Sequence, residues 1–142
     1  MENLTPTLKF ILQFIKIQSL LTRRFDGGLN GISLNEFMIL YYLSQAREER
    51  LRRVDLANKI GLTASGITRL LLPMEKVGLL AKVINVADAR VSYVMLAKGG
   101  KIKLKDTIEY AESIAEEVII EKDLQKLKNF SDFLLQLGGS IQ

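Results

Sequence analysis

One helical face between residues 63 and 76 carries the side chains with the most evident chemistry in this sequence. Side chains three, four and seven residues apart lie on the same side of an α-helix. The members of this face are Ser65, Thr68, Arg69, Leu72 and Lys76. Hydroxyl groups can bind bases or phosphates, and a guanidinium can donate two hydrogen bonds to a guanine edge or to a phosphate. The pattern favours nucleic-acid recognition, and an ordinary amphipathic helix with a solvated polar face is the alternative.

The opposite side of the same helix is apolar, which predicts that this side packs on a core. Its members are Ile67, Leu70, Leu71, Met74 and Val77. Pro73 interrupts the helix near its end. A proline removes one backbone hydrogen bond and clashes with the carbonyl four residues earlier, here that of Arg69, so we expect a kink or an early end at this point.

The residue types that are absent exclude much of enzyme chemistry. The chain contains no cysteine and no histidine. It therefore has no thiolate nucleophile, no disulfide, no zinc site of the Cys/His kind and no Ser-His-Asp triad. Adjacent carboxylates such as Glu116 and Glu117 fall in a charged helix without a visible cleft. We predict no catalytic residue, no metal site and no cofactor; an enzyme would have to use Asp, Glu, Lys, Ser or Tyr.

The net charge of +4 at pH 7 is distributed unevenly along the chain. Between residues 50 and 105, Lys and Arg outnumber Asp and Glu by twelve to three, whereas the remainder holds eight against thirteen. Such a basic segment suits a polyanionic partner. A basic face that is merely solvated is the alternative. Further candidates for phosphate contacts in this segment are Arg52, Arg53, Lys59, Lys82 and Arg90.

Apolar periodicity and capping residues predict the elements that position these side chains. A first helix over residues 4–24 has a wide apolar stripe, and a second helix, which ends near residue 45, begins at Ser33 with Glu36 three residues later, as in a capping box. A short third helix over residues 54–60 ends at Gly61, and Thr63 is the predicted N-cap of the fourth.

The second half of the chain begins with two strands. Residues 80–86 and 91–96 are rich in apolar and β-branched side chains and predict a hairpin. The sequence Lys-Gly-Gly at 98–100 interrupts the pattern before two further helices over residues 101–120 and 124–137. The predicted fold class is mainly α with a small β-hairpin wing (α+β), that is, a winged helix-turn-helix with helical flanks in one domain of 142 residues.

The segments just described resemble the multiple-antibiotic-resistance regulator (MarR) family, in detail over residues 32–100 and in helix order over the full length. The segments that carry the resemblance are SLNEF at 33–37, VDLANKIGL at 54–62, TASGITRL at 63–70, MEKVGLL at 74–80, DAR at 88–90 and LAKG at 96–99. The resemblance implies a transcription regulator, with 32–100 as the DNA-binding lobe and 1–30 and 101–142 as a helical dimerisation region within one domain, 1–142.

The resemblance also implies roles for single residues. The fourth helix becomes the recognition helix, Arg90 at the tip of the wing enters the minor groove of DNA, and Asp88 helps to orient it. A narrow minor groove has an enhanced negative potential that attracts arginine. A solvated turn pair is the alternative for these two residues. A homodimer on a pseudo-palindromic operator is implied as well, and a monomer with a fully internal first helix is the alternative.

Members of the family commonly release DNA when a small compound, often aromatic and anionic, binds between the dimer helices and the DNA-binding lobe. The aromatic residues predicted to line such a ligand site are Phe10, Phe14, Phe37, Tyr41 and Tyr42. Rings and hydroxyls suit an aromatic ligand. Aromatic residues at helical spacing are also common in cores, and this is the alternative.

The sequence also carries an expectation about location. Residues 1–7 lack the basic and apolar pattern of a secretory signal, and polar side chains interrupt the most apolar stretch, 8–21, which is too short to cross a bilayer. We therefore expect a cytoplasmic protein without a membrane partner. The main alternative function is a winged helix used for protein contacts, because a fold alone does not determine a function.

Overall fold

The computed structural model describes residues 3–88 and 90–137, which form six α-helices and a three-stranded sheet. The elements in chain order are α1 (Pro6–Asp26), α2 (Leu34–Gln45), β1 (Arg50–Arg52), α3 (Arg53–Ile60), α4 (Ala64–Lys76), β2 (Leu80–Ile84), β3 (Ser92–Leu96), α5 (Lys98–Val118) and α6 (Leu124–Gln136). This arrangement confirms the predicted fold class of a mainly α chain with a hairpin wing. Ala89 at the predicted hairpin tip and the ends of the predicted flanks, 1–2 and 138–142, lie outside the described residues.

Local capping explains where α2 and α4 begin. The Ser33 hydroxyl accepts a hydrogen bond from the Glu36 backbone N–H at 3.1 Å, and the Glu36 carboxylate accepts one from the Ser33 N–H at 3.0 Å. This reciprocal pair is the predicted capping box. The Thr63 hydroxyl accepts from the Gly66 N–H at 3.0 Å and caps α4 with this single hydrogen bond. Gly61 has a φ of +82°, which ends α3 and makes the tight turn of the helix-turn-helix.

The hydrophobic core lies beneath α4 and joins the sheet to α2, α3 and α5. The inner face of α4 contributes Ile67, Leu71 and Met74, all of which are buried as predicted. They belong to one cluster with Leu40 of α2 and Leu56 of α3. Because α4 is held from below, its opposite face is left to solvent.

The sheet contains a strand that the sequence did not indicate. β1 pairs antiparallel with β3, with Leu51 opposite Val94, and the strand order is β1-β3-β2. The charges of both signs at residues 47–50 predict a solvent-facing connection. A strand of three residues with a single apolar side chain is too short to show an alternating pattern, so its pairing depends on β3 rather than on a local preference. The 3₁₀ turn Arg47–Glu49 leads into it.

The expectation that Pro73 ends α4 early is wrong, because the helix continues to Lys76. The backbone N–H of Val77 donates to the Pro73 carbonyl at 3.1 Å, so hydrogen bonding resumes directly after the proline. The φ angle of proline fits a helix, and its ring here is exposed near the last turn. The outer, polar face of α4 therefore extends over the full helix, from Ser65 to Lys76.

The interpretation of Lys98, Gly99 and Gly100 as a break is also wrong, because they form the first turn of α5. A Cβ atom at Gly100 would lie 2.2 Å from the Leu79 carbonyl oxygen, and one at Gly99 would lie 2.6 Å from that of Gly78. These glycines therefore allow the start of α5 to approach the chain that enters β2. Their role is close packing across the fold, which spacing along the sequence does not reveal.

Two helices leave their apolar sides uncovered. Within the described residues, neither α1 nor α6 has a buried side chain. Phe10 of α1 contacts Phe133 of α6 with ring centroids 5.6 Å apart. The alternative of a first helix buried inside one chain is therefore wrong. In the same part of the chain, no helix combines the length and the apolar character needed to cross a membrane.

Candidate nucleic-acid interface

The outer face of α4 is the first component of the candidate site. Ser65, Arg69, Leu72 and Lys76 are exposed along this face. The Ser65 hydroxyl lies 3.3 Å from the Thr63 hydroxyl. Since the inner face is fixed in the core, the outer face of α4 is a rigid surface on a helix 13 residues long.

Thr68 and Arg53 join the two helices of the helix-turn-helix. The Thr68 hydroxyl donates to the Ala64 carbonyl at 2.9 Å and lies 3.5 Å from Nη1 of Arg53. The Nε of Arg53 is buried and has no hydrogen-bond partner. Both residues were predicted to contact DNA directly. In this structure they lie where α3 meets α4, and the Nε–H of Arg53 is a buried donor without an acceptor among the described residues.

The remaining basic candidates lie around α4 and differ in whether their charged group contacts another side chain. Arg52 Nε donates to the Asp55 carboxylate at 2.9 Å, and this hydrogen bond raises the pKa of Arg52. Lys59 extends over the Tyr42 ring, 6.0 Å from its centroid. Lys82 projects from β2 and is exposed. Asp55 therefore neutralises part of the charge that Arg52 presents.

The wing carries the second component of the site. β2 pairs with β3, and the Asn85 backbone N–H donates to the Val91 carbonyl at 2.9 Å, which closes the loop between the strands. Arg90 donates to the two oxygens of the Asp88 carboxylate from Nε at 3.1 Å and from Nη2 at 3.2 Å. The Arg90 side chain is nevertheless 91% exposed. Asp88 thus orients a guanidinium that remains accessible.

Asp88 provides a prediction that can be tested by pH titration. Hydrogen bonds from the side chain and then the backbone of Arg90 lower the pKa of Asp88 below its ordinary value of 3.8. The folded-state pKa is thus depressed, so the contact is complete above pH 3.8 and is lost as pH falls through the lowered pKa. The Nε–H signal of Arg90, followed by NMR, should titrate below 3.8 in the native chain. It should not titrate in Asp88→Asn.

Asp106→Asn on α5 is the matched control and should leave the Arg90 titration unchanged. A titration midpoint of the Arg90 signal at or above pH 3.8 would contradict the described contact.

The aromatic residues predicted to form one ligand site lie in three places. Phe37 and Tyr41 line a cleft of about 430 Å³ between α2 and α5. Tyr42 lies against Tyr41 but faces Lys59, whereas Phe10 and Phe14 pack beside α6. Of these five residues, Phe37 and Tyr41 line the same cavity. Tyr41 is 43% exposed, whereas Phe37 is half-buried and packs against the core.

Other residues of this cleft were not found by sequence reasoning. Phe25 at the end of α1 contributes a third ring, and Ile108 and Glu112 of α5 complete the wall. The spacing of 108, 111, 112 and 115 follows one helical face and was a usable signal.

The comparison with protein families tests the predicted resemblance. The model of the MarR family matches residues 32–92. The resemblance to the MarR family is confirmed over these residues. The match begins just before α2 and ends at the first residue of β3, so it contains the helix-turn-helix and the loop of the wing. A search of curated proteins found no match to the chain.

Solved structures of transcriptional regulators share the fold over nearly the whole chain. Sco3205 from Streptomyces coelicolor, a MarR family transcriptional regulator in complex with DNA, has a TM-score of 0.87 at 19% identity, covering 100% of this chain and 92% of that chain. BldR from Sulfolobus solfataricus, a transcriptional regulator, has a TM-score of 0.82 at 23% identity, covering 96% and 99%. PcaV from Streptomyces coelicolor, in complex with its natural ligand, has a TM-score of 0.85 at 15% identity, covering 100% of both chains. Members of this family are transcriptional regulators and not enzymes, in agreement with the prediction that the chain is not an enzyme.

Proposed function

We propose that this MarR-family chain is a sequence-specific regulator of transcription that binds an operator in duplex DNA and represses the neighbouring genes. The observation that carries the proposal is the geometry of α4, whose inner face is fixed in the core while Arg69 and Lys76 project from the outer face. The complex of the similar protein Sco3205 with DNA supports it. Because its partner would be the chromosome, we expect the chain to act in the cytoplasm.

Each part of the surface has a role in this proposal. α4 lies in the major groove, where Ser65 and Arg69 meet base edges and Lys76 meets phosphate. Thr68 and Arg53 position α4 against α3, and the half-buried side chain of Arg53 adds a contact to a phosphate oxygen. Arg52, Lys59 and Lys82 add phosphate contacts around the groove.

The wing adds a contact to the adjacent minor groove. The guanidinium of Arg90 enters this groove, and its hydrogen bonds to the Asp88 carboxylate orient it. Asp88 therefore acts through Arg90 and does not itself meet the DNA.

Two copies of the chain are part of the proposal. α1 and α6 have no buried side chain, and large apolar residues remain 37–52% exposed along α1. Apolar surface of this extent is typical of an obligate interface. A homodimer that buries these helices places two copies of α4 on one side, and its twofold symmetry requires a pseudo-palindromic operator with half-sites about one helical turn apart.

The proposal also includes control by a small aromatic ligand. The cleft walled by Phe37 and Tyr41 lies between α2, which belongs to the DNA-binding lobe, and α5, which leads to the proposed dimer helices. A ligand there binds both parts at once and can shift the lobe relative to the dimer. The complex of the similar protein PcaV with its natural ligand supports such a site.

A mobility-shift titration tests the proposed DNA binding. The DNA that flanks the chain's own coding region is the specific probe, and a scrambled duplex of equal length is the control. We expect tighter binding to the specific probe, with a log–log salt slope of about −0.9 for each phosphate neutralised. A shallow slope together with equal binding to both duplexes would contradict the proposal and favour a protein-binding winged helix.

A further inference from the structure

The aromatic cleft between α2 and α5 contains a single charged side chain among the residues that line it. Three rings face the cavity of about 430 Å³, those of Phe25, Phe37 and Tyr41, and the charged residue is Glu112. No lysine or arginine belongs to the described lining. The volume fits a ligand built on one or two rings. Its wall thus offers π-faces and a negative charge but no cation.

The distribution of charge along α5 extends this negative character. The first eight residues, 98–105, contain four lysines, whereas 106–118 contain five carboxylates and neither Lys nor Arg. Glu117 is paired with Arg24. The lysine that precedes Glu112 on the same face is Lys105, seven residues away, which is about 10 Å along the helix. The acidic half of α5 is the part that forms the cleft.

A second carboxylate lies next to one residue of the lining. Asp26, which ends α1, accepts a hydrogen bond from the Leu34 N–H at 2.7 Å, and Leu34 lines the cleft. Asp26 itself is not part of the lining, so the charge that a ligand in the cleft meets directly is that of Glu112. An anionic ligand would lose its hydration there without gaining a positively charged partner.

We propose that this cleft takes a small aromatic cation, a protonated or quaternary amine on an aromatic ring, in place of an aromatic acid. The inference rests on the proposed function, in which this cleft binds a small aromatic ligand, and it assigns the charge of that ligand. The carboxylate of Glu112 attracts the cationic group, and the faces of Phe37 and Tyr41 add cation–π attraction. Because Glu112 is exposed, solvent and salt screen its charge, and the preference over an anion is about tenfold.

Three probes with a common benzyl group test the charge preference. They are benzyltrimethylammonium, benzyl alcohol and phenylacetate, which are cationic, neutral and anionic at neutral pH. The methyl signal of Met38, which lines the cleft, reports binding at this place by NMR. We expect the cation to bind the purified full chain about tenfold more tightly than the anion. Glu112→Gln should bring the two affinities close together, and Glu112→Lys should invert their order.

The matched control is Glu109→Gln, which removes one carboxylate from the same helix outside the cleft lining and should leave the cation preference nearly unchanged. Phenylacetate binding as tightly as the cation, or more tightly, would overturn the assigned charge and leave the cleft as the ligand site. A Met38 signal unmoved by all three probes would overturn both the assigned charge and the proposed ligand site. The salt titration of DNA binding is independent of either outcome.

Discussion

Replacing Arg69 by alanine is expected to lower the affinity for the specific duplex by about tenfold to a hundredfold. Arg69 is exposed on the outer face of α4, while Ile67 and Leu71 on the inner face are buried. The substitution therefore removes a guanidinium that can form two hydrogen bonds to a base and leaves the core intact. Mobility shifts on the specific and scrambled duplexes measure the effect.

Two further variants separate charge from geometry. Arg69→Lys keeps the charge but loses the paired donors, so it should retain binding to the scrambled duplex and lose much of the preference for the specific one. Lys105→Ala removes one positive charge from α5, outside α4 and the wing, and should have little effect. An Arg69→Ala protein with the native specificity would show that α4 does not contact bases.

Replacing Ile15 by glutamate is expected to convert the proposed dimer into monomers and to weaken operator binding by about a hundredfold or more. Ile15 of α1 is 52% exposed within one chain. A carboxylate there is readily hydrated in the monomer, but it would be desolvated without a partner in an apolar interface. A monomer binds a single half-site, so it loses the gain in affinity that a dimer obtains by binding both half-sites at once. Analytical ultracentrifugation and mobility shifts measure the two effects.

Lys16→Glu is the control for this substitution. It changes the charge of the neighbouring residue on the same helix, at a polar position between apolar ones, and should disturb association less than Ile15→Glu. Because α1 has no buried side chain in one chain, circular dichroism should show a folded protomer for both variants. An Ile15→Glu protein that sediments as a dimer would contradict the proposed use of α1.

The helix-turn-helix was predictable because its signals are local. Ser33 and Glu36 form the capping box that their spacing predicted, Thr63 caps α4, and Gly61 makes the turn with a positive φ. Apolar periodicity also placed Ile67, Leu71 and Met74 of α4 in the core, but it wrongly included Val77, which lies past the helix end and is 71% exposed. Each of these features is decided within one turn of helix or a few residues of chain.

Features that depend on distant segments were missed. β1 exists because β3 accepts it as a partner, and Gly100 is required because α5 approaches the Leu79 carbonyl. The distance of 3.5 Å between Nη1 of Arg53 and the Thr68 hydroxyl depends on how α3 packs on α4, and the DNA contacts of these two residues remain a prediction. No spacing along the chain contains that information.

The candidate ligand residues also show the difference between what local spacing predicts and what tertiary packing decides. Helical spacing grouped five aromatic residues, but packing separated Phe10 and Phe14 from the cleft that holds Phe37 and Tyr41. The orientation of Arg90 by Asp88 was implied by family resemblance and not by spacing, and their hydrogen bonds in the wing agree with it.

Hydroxyl-radical footprinting on a duplex selected from random sequences tests the central claim, that two copies read a pseudo-palindrome. We expect two protected patches related by a twofold axis, with centres about one helical turn, 10–10.5 base pairs, apart. We also expect weaker protection at the flanking minor grooves that Arg90 reaches. In Arg90→Ala the flanking protection should vanish while the central patches remain. A single unsymmetrical patch, or uniform protection along a duplex without a selected sequence, would contradict it.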